Sequence, residues 1–412
     1  MNKKYNRRDF TKIIGASIGA AGAMPIAYAA NGQSNVMTSE NISNSDDKDL
    51  SSLADKFATK SAALTNLTNE SVTPVHMGVV VNDSYRRYTS DPTVSTLELA
   101  MAELEGGEAA LASSSGMTSI THTLISLLSS GDTVLYHHSL YASSTWFIEQ
   151  DLPRFGVKVV KADMTNLRQV ESLIAEHKPT MVYFEPNTNP YLEVVDVEGV
   201  LRLTKDTESL VVVDNTFMTP MLMQPLNLGA DLVLHSMTKF IGGHGDALAG
   251  VVVGKKELIE KVLFTRQKMG GNLTPEKAYL ILRGLRTLAY RMPVHCQSSL
   301  KLAKWLEKHP KVVQVNYPGL RSNVGYDIAT RQGAAYGGML SFVVKGGTNT
   351  GEGILRNLKL CKVRSSLGEP DTLVMGGKEL EDFFKTKPGF LRVAVGLEGI
   401  DDIIEDFDRA LS

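Results

Sequence analysis

The chain has 412 residues, 43% hydrophobic and 21% charged, with a formal net charge of -2. That is ordinary globular composition with room for two or three domains. It offers no basic footprint for nucleic acid. Beyond the first residues, no uncharged apolar run reaches the roughly 18 residues of a membrane span.

Residues 1–30 read as a segment apart. Asn6-Arg7-Arg8-Asp9-Phe10-Thr11-Lys12 precedes a Gly/Ala-rich apolar run from Ile13 to Ala23, and Ala27-Tyr28-Ala29 offers a small-x-small cleavage site. This order predicts a twin-arginine export signal, with a Sec signal as the rival. The modest hydrophobicity of the Gly/Ala run favours the twin-arginine route. A periplasmic or exported protein is expected, cytoplasmic if the signal is not used. Residues 31–50 are polar and charge-rich and read as a disordered linker. Residues 51–94 read as an N-terminal arm, helical periodicity followed by an extended apolar run from His76 to Val81, and this arm is expected to pack on another subunit.

Residues 95–255 alternate. Leu97 to Leu111 reads as helix. Thr133–Tyr136, Val157–Val160, Met181–Phe184, Leu210–Val213, Leu232–Leu234 and Val251–Val253 are short apolar runs, separated by helical patterns such as Ser143–Glu149 and Asn166–His177. Buried strands alternating with helices predict an α/β domain with a mostly parallel sheet covered on both faces. In residues 256–412 two helices, Pro275–Arg291 and Pro293–Lys308, precede strands at Val312–Tyr317, Met339–Val344 and Leu391–Val395. This is expected to be a smaller α+β domain. Cys296 and Cys361 are expected to be free thiols, and no Cys/His spacing predicts a metal site.

Ligands of such sheets bind at the carboxyl ends of the strands, where Asp214, Ser236 and Glu185 are expected. Beyond Ser236 come Met237, Thr238, Lys239 and a glycine-rich exit. Together these can hold pyridoxal phosphate (PLP). A lysine amine forms a Schiff base with its aldehyde, Ser236 and Thr238 can bond its phosphate, and Asp214 can pair with its protonated ring nitrogen. Ser113-Ser114-Ser115-Gly116-Met117 precedes a helical run, so free backbone N–H groups and a helix N-terminus can complete a phosphate cup. Tyr141 could stack on the ring, and Asn189 could bond its hydroxyl. Each of these residues alone is more commonly a turn, a cap or a surface side chain. The set carries the reading.

The chain resembles the transsulfuration, or Cys/Met metabolism, PLP-dependent enzymes from about Phe57 to Ser412. The matching pieces include Leu104-Glu105-Gly106-Gly107-Glu108, Ser115-Gly116-Met117, Asp214-Asn215-Thr216-Phe217, Ser236-Met237-Thr238-Lys239, Tyr317-Pro318-Gly319-Leu320, Ser366-Leu367-Gly368 and Val395-Gly396-Leu397-Glu398. The resemblance implies the aspartate-aminotransferase-like fold (fold type I). It also implies that Lys239 carries the cofactor and shuttles protons, and that Asp214 keeps the ring nitrogen protonated. Tyr141 would stack and assist as a base, and Gly116, Met117, Ser236 and Thr238 would bind phosphate. Arg392 would clamp the substrate carboxylate, a task for its planar fork, with Ser366 beside it. A Tyr-x-Arg element that reaches a neighbouring subunit's phosphate corresponds to Tyr85 and Arg87, in a stretch one residue longer than usual, with Arg86 and Tyr88 as spare candidates. A homo-oligomer, a dimer of dimers, is therefore expected. The chain departs from its relatives in short segments before Tyr85 and between Thr372 and Gly389. Ser143 stands where methionine γ-lyases carry a cysteine, and Ser365 where some cystathionine γ-lyases carry an acid. The expected activity is β- or γ-elimination on a sulfur amino acid. γ-Replacement on an activated homoserine, or PLP binding without turnover, are the alternatives.

Overall fold

The computed structural model describes residue 48, residues 50–63 and residues 91–412. The expected export signal, most of the linker, the His76–Val81 run, and Tyr85, Arg86, Arg87 and Tyr88 lie outside the described residues.

The first sheet has seven strands: β1 (Ala109–Ser113), β2 (Thr133–His137), β3 (Lys158–Ala162), β4 (Met181–Phe184), β5 (Leu210–Asp214), β6 (Leu232–Ser236) and β7 (Gly250–Gly254). Their spatial order is β1-β7-β6-β5-β4-β2-β3. Strands β3, β2, β4, β5 and β6 run parallel, and β7 is antiparallel to β6 and β1. Alternation along each strand divides the apolar side chains between two cores. Val182, Phe184, Val211, Val213, Val251 and Val253 enter one. Met181, Tyr183, Val212, Leu232, Leu234 and Val252 enter the other. Both faces are buried, which is why these strands read as continuous apolar runs.

Two predicted boundaries are corrected. The helix expected over Leu97–Leu111 spans Pro92–Glu105, capped by the Asp91 side chain with proline in its first turn. It stops at Gly106, in the left-handed region at φ +77°. Ala109–Ser113 then pairs along its whole length with β7. Its alanines favour helix, but a fully buried edge-to-edge pairing overrides that preference. Second, the break expected before Pro293 falls earlier: the helices are Pro275–Leu285 and Leu288–Lys308, with Pro293 inside the second. Tertiary contacts outweigh the proline, since Arg291 donates to the carbonyls of Phe240 (2.7 Å), Ile241 (3.2 Å) and Gly284 (2.8 Å).

Helix Lys256–Met269 packs on Gly116–Leu127, and Pro275–Leu285 packs on Pro92–Glu105, so elements beyond residue 255 still cover the large sheet. The described part of the arm, helix Ser51–Ala63, docks on Leu288–Lys308 of its own chain and buries Leu50, Ala54 and Phe57. The second sheet holds β8 (Val312–Asn316), β9 (Met339–Val344), β10 (Lys362–Val363), β11 (Leu373–Gly376) and β12 (Phe390–Ala394), in the order β10-β11-β12-β9-β8. Only β10 and β11 pair in parallel. Helices Leu288–Lys308, Gly347–Asn357 and Ile400–Leu411 cover it. Strands β10 and β11 were not expected from the sequence. Cys296 and Cys361 are free and buried. Among the described residues no helix is long and apolar enough to cross a membrane.

Candidate active site

The parallel strands deliver their carboxyl ends to one edge of the large sheet. Asp214 ends β5 and Ser236 ends β6. They are tied through Thr216: the Ser236 N–H donates to Thr216 Oγ1 at 2.8 Å, and that hydroxyl donates to Asp214 Oδ1 at 2.6 Å. The Thr216 N–H adds a bond at 3.1 Å, and Tyr183 donates to Oδ2 at 3.4 Å. Burial raises the Asp214 carboxyl above its ordinary range, while Thr216, His235 and Tyr183 pull the other way. Glu185, just past β4, is raised well above the usual carboxylate range by burial and by Asp214. It accepts the Tyr141 N–H at 2.7 Å. Two adjoining buried carboxyls cannot both ionise cheaply. Burial and the neighbouring Asp214 together disfavour charge on Glu185.

Behind this floor, the His235 Nε2 meets Glu105 Oε1 at 2.5 Å, with both side chains fully buried, and Asn215 donates to the same oxygen at 3.2 Å. Sequence reasoning assigned no role to Glu105, His235, Tyr183 or Thr216. Only their adjacency to motif residues could have drawn attention to them.

Lys239 leaves the β6 end in a tight turn. Its Nζ donates to Ser366 Oγ at 2.9 Å. Burial, then the charges of Arg392 and Arg364, lower the amine to about 8. A lysine so placed has a usable neutral fraction near physiological pH and can act as nucleophile or base. Arg392 lies on β12 of the other sheet. It donates through Nη1 to Asn189 Oδ1 at 2.8 Å and through Nη2 to the Ser366 carbonyl at 3.0 Å. Burial lowers the guanidinium to about 10, which leaves it cationic at neutral pH. Its Nε is buried without a partner.

Those of the predicted residues that the structure describes lie around this cleft, two of them with other partners, while Tyr85 and Arg87 fall outside the described residues. Asn189 turns its amide oxygen to Arg392, so it is a positioning side chain for the clamp in this geometry. Thr238 is committed to the backbone: its hydroxyl donates to the Ala249 carbonyl at 3.2 Å and accepts the Ala249 N–H at 3.1 Å. That pair of bonds braces the loop. Tyr141 is 44% exposed at the start of helix Ala142–Trp146, beside the cleft. Gly116 and Met117 open helix Gly116–Leu127, capped by Ser115, whose hydroxyl takes the Thr118 N–H at 3.1 Å.

One cluster was not foreseen. His137, His138 and Asp163 place metal-ligand atoms within 4.8 Å of one another. His137 Nδ1, however, accepts the Met164 N–H at 2.9 Å, so its proton sits on Nε2, facing Glu193 Oε2 at 3.5 Å. In that tautomer Nε2 offers no lone pair to a cation.

The family model for Cys/Met metabolism PLP-dependent enzymes matches residues 58–412. An L-methionine gamma-lyase of Fusobacterium nucleatum subsp. polymorphum is 41% identical over 333 residues, covering 78% of this chain and 84% of the relative. A cystathionine beta-lyase of Lactococcus lactis subsp. cremoris is 37% identical over 333 residues, covering 78% of this chain and 87% of the relative. The crystal structure of cystathionine gamma synthase from Xanthomonas oryzae pv. oryzae, in complex with cystathionine, superposes with a TM-score of 0.80 at 32% identity, over 86% of this chain and 97% of that one. The chain belongs to the Cys/Met metabolism PLP-dependent enzyme family, and its cofactor is pyridoxal 5'-phosphate.

The residues fit that group. A Cβ on Gly116 would fall 2.7 Å from Ser236 Cβ and 2.9 Å from its Oγ, so glycine keeps open a cradle between the helix start and the serine. The first N–H groups of a helix lack partners within it and suit a phosphate dianion. Asp214 would supply the buried acidic partner for a ring nitrogen, and Lys239 the amine.

Proposed function

We propose that this protein is a carbon–sulfur lyase that removes a thiol from a sulfur amino acid by β- or γ-elimination. The observation that carries the reading is the Lys239–Ser366–Arg392 cluster. A lysine amine lowered to about 8 lies 2.9 Å from a serine whose own carbonyl is held by a buried guanidinium. Arg392 binds the substrate α-carboxylate through its fork. Lys239 takes the α-proton and, on the γ route, moves a second proton from the β-carbon. Asp214 holds a proton on the cofactor's ring nitrogen. Bound pyridoxal phosphate supplies the electron sink that makes the α-proton removable. The identities to a methionine gamma-lyase and a cystathionine beta-lyase support the same class.

A second reading, γ-replacement on an activated homoserine, is favoured by the likeness to a cystathionine gamma synthase. PLP binding without turnover has less support, because a scaffold has no use for Lys239, Asp214 and Arg392 in one cleft. The test is to incubate PLP-loaded protein with L-cystathionine and with L-methionine and identify the keto acid released. Pyruvate indicates β-elimination and 2-oxobutyrate indicates γ-elimination. No keto acid, with product on adding an O-acyl-homoserine and a thiol, overturns the lyase in favour of replacement.

Two further parts of this reading rest on the sequence. Export by the twin-arginine route is supported by Arg7-Arg8 and the apolar run after them. It requires that Arg7→Lys/Arg8→Lys stop delivery to the periplasm. Assembly as a homo-oligomer, a dimer of dimers, is supported by the Tyr85–Arg87 element, and sedimentation of the holoenzyme tests it.

A further inference from the structure

Asn189 holds Arg392 from a hairpin that must itself be held. The hairpin closes where Asn187 and Val194 form an antiparallel bridge. Inside it the Thr188 N–H donates to the Glu193 carbonyl at 3.0 Å, and the Glu193 N–H donates to Thr188 Oγ1 at 3.1 Å. Asn189 thus sits on one limb and Glu193 on the other, cross-bonded through Thr188. On the far side the Tyr191 hydroxyl donates to the Phe384 carbonyl at 2.7 Å.

The three residues at the end of β2 grip both limbs. Ser139 Oγ donates to the Asn189 carbonyl at 3.2 Å. Glu193 Oε2 lies 3.5 Å from His137 Nε2 and 3.4 Å from His138 Nε2. The two rings stand side by side, 4.4 Å between centroids. His137 is fully buried, and because its Nδ1 accepts the Met164 N–H, its Nε2 proton points at the carboxylate. Both His137 Nε2 and Glu193 Oε2 are buried, and neither has a hydrogen-bond partner elsewhere among the described residues. A buried N–H or carboxylate oxygen left bare is costly, so each is the other's compensation. Asp163, the other acid facing these rings, is committed to the Thr165 N–H at 2.9 Å and the Thr165 hydroxyl at 2.6 Å. Glu193 is therefore the carboxylate that ties the hairpin to β2.

We propose that Glu193 is a positioning residue for the α-carboxylate clamp: by meeting His137 and His138 it fixes the hairpin, and the hairpin's Asn189 aims Arg392 at the substrate. This rests on the reading of Arg392 as that clamp. The links are few, from Glu193 through Thr188 to Asn189, whose Oδ1 takes Arg392 Nη1 at 2.8 Å. Glu193 itself touches neither Arg392 nor Lys239, so its removal is felt as a misaimed fork.

The experiment measures Kd for L-norleucine and for pentylamine on the PLP-loaded holoenzyme, from the change in cofactor absorbance. Pentylamine is the same chain without the carboxylate, and norleucine has no thiol to lose, so binding is read apart from turnover. Wild type is expected to prefer norleucine. Glu193→Ala is expected to cut that preference about three- to tenfold, the scale of one hydrogen bond, while pentylamine and PLP content stay unchanged. Glu193→Gln keeps an oxygen for the imidazoles and is expected to restore most of the preference. In an Asn189→Ala background, Glu193→Ala is expected to add less than about twofold, because the two act in series. His138→Ala, at an exposed ring, is expected to shift the preference in the same direction and covers the case where Glu193→Ala does not fold. Equal losses on both ligands, or a full further loss in the Asn189→Ala background, overturn the proposal. A wild-type preference that survives Glu193→Ala and His138→Ala leaves the clamp standing and removes Glu193 from it. No preference in wild type refutes the clamp reading, and this inference falls with it.

Discussion

Arg392→Lys tests most directly whether the cleft clamps an α-carboxylate. Lysine keeps the charge but loses the fork. In the native protein Nη1 reaches Asn189 Oδ1 at 2.8 Å, Nη2 reaches the Ser366 carbonyl at 3.0 Å, and Nε has no partner. A lysine can keep at most part of this set, so one carboxylate contact and at least one internal contact are lost. A hydrogen bond to a charged group contributes about 1.5–3 kcal/mol. Loss of the substrate contact therefore lowers kcat/KM roughly 10- to 100-fold. The unpaired Asn189 or Ser366 oxygen costs about 1–3 kcal/mol of fold stability. Keto-acid release under steady-state conditions gives the kinetic terms, and denaturant titration gives the stability. If the clamp reading holds, KM rises more than kcat falls. A variant with unchanged KM and reduced kcat would refute it, because Arg392 would then act only through Ser366 on Lys239.

Three other outcomes follow from the same geometry. The Lys239 amine is lowered from 10.5 to about 8 in the folded chain, so protonating it costs stability. Its destabilising effect is fully present below about pH 8 and is relieved as pH rises from there toward 10.5, where the unfolded chain binds the extra proton. The rate of PLP uptake by apo-protein is expected to rise with a midpoint near pH 8 in stopped-flow absorbance, and a midpoint near 10 contradicts the burial argument. Gly116→Ala places a Cβ within 2.7 Å of Ser236 Cβ, and overpacking of that kind costs about 1–3 kcal/mol. PLP affinity by equilibrium dialysis should fall about 10- to 100-fold, and unchanged affinity would remove the cradle. His235→Leu leaves Glu105 buried without its partner at 2.5 Å. Breaking a buried pair costs about 3–5 kcal/mol, so urea unfolding should shift strongly, and a shift under about 1 kcal/mol would show that the contact adds little to the fold.

Much of the fold was legible because burial on both faces leaves a plain mark. Met181–Phe184 and Met339–Val344 were placed to the residue, as the first is a wholly apolar run and the second is apolar except for the buried Ser341. Ala109–Ser113 was misread because its composition suits helix and its strand character comes from β7, remote in sequence. Lys362–Val363 is too short and too exposed to show a period. Within the site, Lys239, Asp214 and Ser236 declared themselves as polar residues at or just beyond the ends of apolar strands. The direction of a hydroxyl is not written in such a pattern. Thr238 turns to Ala249 because that carbonyl lies on the loop entering β7, and Asn189 turns to Arg392, 203 residues away. Glu185 was seen as part of the cleft, but the upward pull on its carboxyl depends in part on Asp214, from a different strand.

The clustering of these contacts has a consequence for how substrate and fold communicate. Lys239 belongs to the large sheet's edge and Ser366 to the loop after β10; Arg392 belongs to β12 and Asn189 to the loop after β4. The bonds Lys239–Ser366 and Arg392–Asn189 therefore both join the two sheets, and both run through groups that a bound amino acid must engage. A substrate carboxylate on Arg392 competes for donors that now hold Asn189 and Ser366, and whatever engages the Lys239 amine competes with Ser366. Binding that takes those donors must offset the bonds it breaks, while Arg392 Nε has none to lose. Ligands that meet both the amine and the guanidinium can do so, whereas an amine without a carboxylate, or a carboxylic acid without an amine, breaks one and leaves its partner short. The site thereby selects α-amino acids by the contacts it already makes, before any discrimination by the sulfur substituent begins.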